Sequence, residues 1–219
     1  MEFSSTDLNL WKQSLSSYQT SLYSLNKPAL ISLDNFYRRD LPLQINSRNP
    51  NPHITKSDLI KLMQWKLSRG KWRPRLLDFV TNLDESAVKS ASEKAFRAVT
   101  EEDVGKAIEE LTVLKGVGPA TASAVLAAFA PEIAPFMSDE AMVAALGNSK
   151  DYTLKQYLVF AKKLQEKSKE LSKEGETFTP SDVEMALWSS AVGAKSLTSP
   201  SVPDSKTNSK KRSTKRKRN

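Results

Sequence analysis

The stretch that decides the fold is Val104–Phe129, VGKAIEELTVLKGVGPATASAVLAAF. Its first part sets Val104, Ile108 and Leu111 at helical spacing, and its second part does the same with Ala122, Val125, Leu126 and Phe129. Between them, Leu114-Lys115-Gly116-Val117-Gly118-Pro119 breaks both periods with two glycines and a proline. The glycines admit backbone conformations closed to other residues and leave no side chain between the main chain and a ligand. Val117 can plug the space between the two helices. Pro119 lacks an N–H and so suits the first turn of the second helix, whose other free N–H groups point outward. Such a turn suits a nucleic-acid phosphate, because the N–H groups and the helix dipole favour an anion. The same pattern also serves as a plain connection between two core helices.

Outward from this turn the chain reads as helix almost throughout. Residues 7–25 place Leu8, Trp11, Leu15, Tyr18, Leu22 and Leu25 on one face of a single amphipathic helix. Pro28 starts a short helix over 28–38, and 41–54, with its prolines and asparagines, reads as a loop. Thr55 and Asp58 form a capping box for a helix over 56–69, Pro74 opens one over 73–81, and Asp84 opens another to Val99. Thr100 with Asp103 predicts a second capping box, for 101–113. Beyond the turn, helices are expected over 119–130, 138–147, 153–173 and 179–192. Alternating strand patterns and internal repeats are absent. The expectation is an all-α domain over 1–193, of about ten helices, followed by a tail from 194 to 219.

Composition narrows the chemistry. The 219 residues include no cysteine and one histidine, His53. This excludes a disulfide scaffold, a thiolate zinc site, a cysteine-ligated iron–sulfur cluster and a cysteine nucleophile. It also argues against a histidine-based metal site or catalytic triad. Neither a signal peptide nor a membrane-spanning stretch is evident, so a soluble intracellular protein is expected.

The net charge of +8 comes from one place. Residues 194–219 carry nine Lys or Arg against Asp204 alone, whereas 1–193 are balanced with 24 basic and 24 acidic side chains. The tail is rich in Ser, Pro, Thr and Lys without apolar periodicity, and is expected to be disordered. Its end, KKRSTKRKR, reads as a nuclear import signal through Lys210, Lys211, Arg212, Lys215, Arg216, Lys217 and Arg218. The alternative is a solubilising basic tail. The expected location is the nucleus, with the import machinery as a partner and no membrane association.

Within the balanced body, Lys56–Arg75 (KSDLIKLMQWKLSRGKWRPR) holds seven basic residues against Asp58, with Trp65 and Trp72 interleaved. Residues 78–110 lean the other way, with nine acids and four bases. One basic face on a neutral domain is what phosphate binding on one side requires, and Lys66, Arg69, Lys71 and Arg73 are its candidate contacts. The alternative is a helix with a charged solvent face and its tryptophans in the core.

The run Leu114, Gly116, Val117, Gly118, Thr121 and Ala122 resembles the hairpin of the helix-hairpin-helix DNA glycosylase superfamily. Over the length of the chain, including WKLSRGKWRPRL, it is most similar to the Amun-like glycosylase-related proteins of eukaryotes. The resemblance implies a multi-helix fold that grips duplex DNA at the hairpin through Lys115, Gly116, Val117, Gly118, Pro119 and Thr121. It further implies an aspartate about twenty residues after the glycines, beside the pocket for a flipped base. Asp139, in PFMSDE, stands at that position. Its carboxylate would stabilise the cation that develops on the sugar and orient the attacking water. Equally, Ser138 can be an N-cap and Asp139 a first-turn acid opposing the helix dipole.

Bifunctional members of the superfamily carry a lysine where this chain has Ala120, so the resemblance implies cleavage by water without a lyase step. It implies no iron–sulfur cluster and allows a monovalent cation on the hairpin carbonyls. Trp65, Trp72, Trp188 and Phe136 are candidates to line a base pocket or to fill the core. Two functions follow: a monofunctional DNA glycosylase of base excision repair, or a non-catalytic nuclear module of the same fold that binds DNA or a protein.

Overall fold

Local signals place most helix starts where the sequence puts them. In the computed structural model, which describes residues 1–147, 151–172, 175 and 177–198, Asp7 caps α1 (Leu8–Ser16) by accepting from the Asn9 and Leu10 amides. The periodicity of 7–25 continues into α2 (Tyr18–Ser24), but the two are separate helices parted at Ser17. Both still turn the same kind of face inward, burying Trp11, Tyr18 and Leu22.

After α3 (Pro28–Asn35) the chain does not enter a loop at 41. A π-helical turn, Phe36–Asp40, carries it into α4 (Leu41–Ser47), and the loop is confined to the residues before Thr55. Leu41 and Ile45 are fully buried, one turn apart on the same face. Tertiary burial of that face overrides the turn-like composition, and Pro42 is tolerated because it falls in the first turn.

The capping box of α5 (Lys56–Arg69) forms as expected, with Thr55 Oγ1 accepting from the Asp58 amide and Asp58 Oδ2 accepting from the Thr55 amide at 2.9 Å. Pro74 opens α6 (Pro74–Thr81), and α7 runs Glu85–Thr100. Thr100 is therefore the last residue of a helix and not a cap. Its hydroxyl donates to the Phe96 carbonyl, and Asp103 alone caps α8 (Val104–Thr112) through the Lys106 amide.

The centre of the molecule is α9 (Pro119–Phe129). Its run of Ala, Ser and Thr lets α4, α5, α7, α8 and α11 approach closely, and Ala122, Ala124, Val125 and Leu126 are fully buried. Then follow α10 (Asp139–Leu146) and α11 (Leu154–Leu171), the latter capped by Thr153. The last helix, α12 (Pro180–Thr198), starts at the Thr179–Asp182 capping pair and continues past the expected end at Val192. It packs against α1, α2, α10 and α11, so that the two ends of the described chain close the same core. Among the described residues there is no strand, and no helix is long and apolar enough to cross a membrane. The candidate import residues Lys210 to Arg218 lie outside the described residues.

Candidate functional site

Helix α9 presents its N-terminus to a cavity of about 480 Å³, a size typical of small-molecule sites. The turn that precedes it is tight. Gly116 has φ +89°, and a methyl group there would lie 2.6 Å from Phe79 Cβ on α6. A glycine is required on both counts. Gly118 differs from expectation: its φ of −99° is ordinary, and nothing lies within 4 Å of where a Cβ would stand. Its lack of a side chain keeps the cavity mouth open and relieves no strain. Val117 is buried between the helices, while Pro119 occupies the first position of α9. Thr121 and Ala122 donate their amides to the Gly118 carbonyl, and no hydrogen bond among the described residues takes up the amides of Gly116, Gly118 or Ala120. These are the groups a phosphate oxygen would meet.

The opposite wall descends from the segment 134–139, where the chain is buried almost continuously and Met137 donates its amide to Ser123 Oγ of α9 at 3.0 Å. This bond ties the start of α10 to the central helix and sets Asp139 on the cavity. Ser138 holds the N-cap position but does not cap. Its hydroxyl donates to Glu184 Oε1 instead. Asp139, half-buried, accepts a 2.7 Å hydrogen bond from the Tyr152 hydroxyl. Burial first, and then this hydrogen bond, push the Tyr152 phenol up to about 12. Phe136 and Trp188 border the same cavity.

The basic segment divides into distinct environments. Lys71 and Arg73 are exposed at the lip, with the Arg73 guanidinium 5.8 Å from the Tyr152 ring centre. Lys115 is exposed on the turn, its ammonium 4.9 Å from the Phe79 ring centre. Lys66 is half-buried in the cavity wall, where burial and the nearby Arg73 charge outweigh Asp139 and lower its pKa to about 8.

Arg69 lies apart from the surface. Its side chain is 2% exposed, both terminal nitrogens donate to Glu184 Oε1 at 3.0 Å, and the guanidinium lies 4.3 Å from the Trp188 ring centre. A charge neutralised by a buried carboxylate has little left for a phosphate, so Arg69 acts as the floor of the cavity. It holds Trp188 and, through the shared Glu184, the Ser138 end of α10.

The tryptophans divide similarly. Trp65 is core, stacked on Tyr37 at 3.6 Å and donating to Asp34 at 2.8 Å. Trp72 is 57% exposed, between the two basic residues of the lip. Of the four aromatic candidates, Trp188 and Phe136 border the cavity, but both belong to the core, at 1% and 7% exposed. Two residues were not anticipated. Tyr152 stands alone in a loop and carries no local signal. Glu184 does carry one: it falls on the face of α12 that also holds Val183, Leu187 and Trp188, all buried, and an acid on such a face implies a buried cationic partner.

No group of three or more metal-binding side chains occurs among the described residues. No protein-family model matches the chain, and neither the curated proteins nor the solved structures provide a match.

Proposed function

We propose that this protein is a monofunctional DNA glycosylase that takes a damaged base into the cavity and cleaves its N-glycosidic bond with Asp139 and water. The observation that carries the reading is the convergence on one cavity of the Gly116–Gly118 turn, Asp139, Phe136 and Trp188. Three chemically different requirements meet there: amides for a phosphate, a carboxylate for a developing sugar cation, and, behind the cavity wall, the largely covered rings of Phe136 and Trp188, against whose edge a base would pack. The paired helices α8 and α9 would serve as the helix-hairpin-helix of the superfamily that the sequence resembles.

In this mechanism the unpaired turn amides and Lys115 hold the backbone, with Lys71 and Arg73 flanking it at the lip. Trp72, 57% exposed and between the lip residues Lys71 and Arg73 in sequence, is the candidate to fill the gap in the stack. As the bond to the base lengthens, positive charge grows on the sugar, and the Asp139 carboxylate opposes it at short range in a partly desolvated site. Tyr152 restrains that carboxylate by donating to Oδ1. Ala120 supplies no amine, and water completes the reaction. Were a monovalent cation to bridge the turn to phosphate, the Gly118 carbonyl would be a poor ligand, since it already accepts from two amides.

The second reading, a nuclear module that binds DNA or protein without catalysis, draws on the same Tyr152–Asp139 hydrogen bond, which gives Asp139 a structural occupation. Single-turnover excision on duplexes carrying deaminated, alkylated or oxidised bases separates the two. Excision of one lesion, lost in Asp139→Asn while duplex affinity holds, is the expected result. Duplex binding with no excision in the whole panel favours the module.

A further inference from the structure

Helix α12 ends where the candidate site opens. Its Trp188 borders the cavity. Two turns on, along the same face, Lys195 brings its Nζ to 3.4 Å from Oε1 of Glu140, another residue of the cavity wall. The helix stops at Thr198, within one turn of that contact. The chain beyond Thr198 therefore starts at the cavity lip, beside the N-terminus of α10. That part of the chain holds the net charge of the protein. Residues 199–219 carry eight Lys or Arg against Asp204, whereas 1–193 are balanced. Nuclear import requires only that such a run be reachable and is indifferent to where on the domain it begins. Nor does the run suit the cavity itself, which already presents Lys66, Lys71 and Arg73, all of its own sign, while its acids Asp139 and Glu140 face Tyr152 and Lys195. A polyanion lying across the lip is what holds both basic sets together, and a balanced body has little long-range pull on one without the tail.

We propose that residues 199–219 act as a second grip on duplex DNA, tethered by α12 at the edge of the cleft and engaging the phosphates that flank the site the cleft holds. The proposal rests on the reading that the cleft receives duplex DNA, but not on base excision by Asp139. Eleven residues separate Thr198 from Lys210. A tether of that length spans roughly 20 Å on average and about 40 Å at full stretch. At about 3.4 Å per base pair, the run from Lys210 to Arg218 meets phosphates about 6 to 12 base pairs from the lip. Each base that meets a phosphate releases a counterion, so the salt dependence of binding counts the bases engaged. Because the tether makes this second contact intramolecular, it multiplies the affinity of the cleft without entering it.

The test is duplex titration by fluorescence anisotropy over a salt series, with the full chain, a chain ending at Thr198, and a full chain with about forty Gly and Ser residues inserted after Thr198. Truncation is expected to weaken binding by about 100-fold or more and to reduce the salt slope by about 3–4 or more, the share of half of the eight bases. The longer tether keeps every residue and the whole charge but dilutes the run near the cleft as the −3/2 power of length, so binding about tenfold weaker is expected. This variant carries the test even where the truncated chain folds poorly. Unchanged affinity with the longer tether reduces the tail to a general attraction, and tighter binding places the DNA away from the lip. Either result overturns the proposal, as does a truncated chain that binds like the full one. Binding by the truncated chain that Gly118→Ala weakens keeps the cleft reading standing in each of these cases. Absence of duplex binding by the full chain removes both.

Discussion

Replacing Gly116 by alanine tests the turn on which the site depends, because the two glycines predict opposite outcomes. At Gly116 the new methyl group meets two penalties. The backbone at φ +89° is left-handed, which costs an L-residue about 1–2 kcal/mol. The methyl carbon would also stand 2.6 Å from Phe79 Cβ. That atom is fixed to the α6 backbone, so rotating the ring gives no relief and the helix itself must move, at about 1–3 kcal/mol. Reduced freedom of the unfolded chain returns about 0.4–1 kcal/mol. The net cost is about 2–4 kcal/mol, a fall in Tm of about 5–15 °C for a domain of this size. Gly118→Ala has an ordinary φ and open space, and is expected within about 0.5 kcal/mol of wild type. Its methyl group nevertheless projects into the mouth of the cavity and should weaken duplex binding. Urea denaturation with duplex titration by anisotropy reads both properties. Equal stability losses in the two variants, or a loss below about 0.5 kcal/mol for Gly116→Ala, would refute this account of the turn.

Further outcomes follow from the buried charges. Arg69→Met strands Glu184 without its partner and should cost about 3–5 kcal/mol by urea denaturation, whereas the double variant Arg69→Met/Glu184→Gln should recover much of that loss; a near-neutral single variant would contradict the burial of the pair. Lys66→Met should stabilise the protein at pH 7 by about 2 kcal/mol after allowance for solvent screening, since it removes a desolvated cation. The folded pKa of Lys66 is depressed, so the native state loses its proton first. The gain should therefore shrink as pH rises from about 8 to 10.5 in parallel denaturation series. Tyr152 has the opposite sign. Its raised pKa gives stability that is present below pH 10 and lost as pH climbs to about 12, and the difference between wild type and Tyr152→Phe should close across that window.

Features written in short-range chemistry were legible along the chain. The capping pairs Thr55–Asp58 and Thr179–Asp182, the N-terminal prolines of α3, α6 and α9, and the Gly116 turn depend on neighbours within a few residues. Composition and spacing therefore located them. The misreadings share a cause. Ser17 parts two helices and α4 forms in a proline- and asparagine-rich segment because the faces of those helices pack on distant elements, and no local pattern encodes that packing.

The same divide runs through the site. The kinds of residue that matter, a glycine turn, an aspartate at a helix start and a basic segment with tryptophans, were plain in the sequence. Their assembly was not, because Lys66, Asp139, Tyr152 and Trp188 come from separate elements whose approach depends on the burial of α9 and α12. Burial likewise separated residues of one chemical type: Arg69 from Arg73, Trp65 from Trp72, and Lys66 from Lys71. A side chain's charge and shape follow from its identity, but its solvation, and with it its partners and its pKa, arises only when the helices close around it.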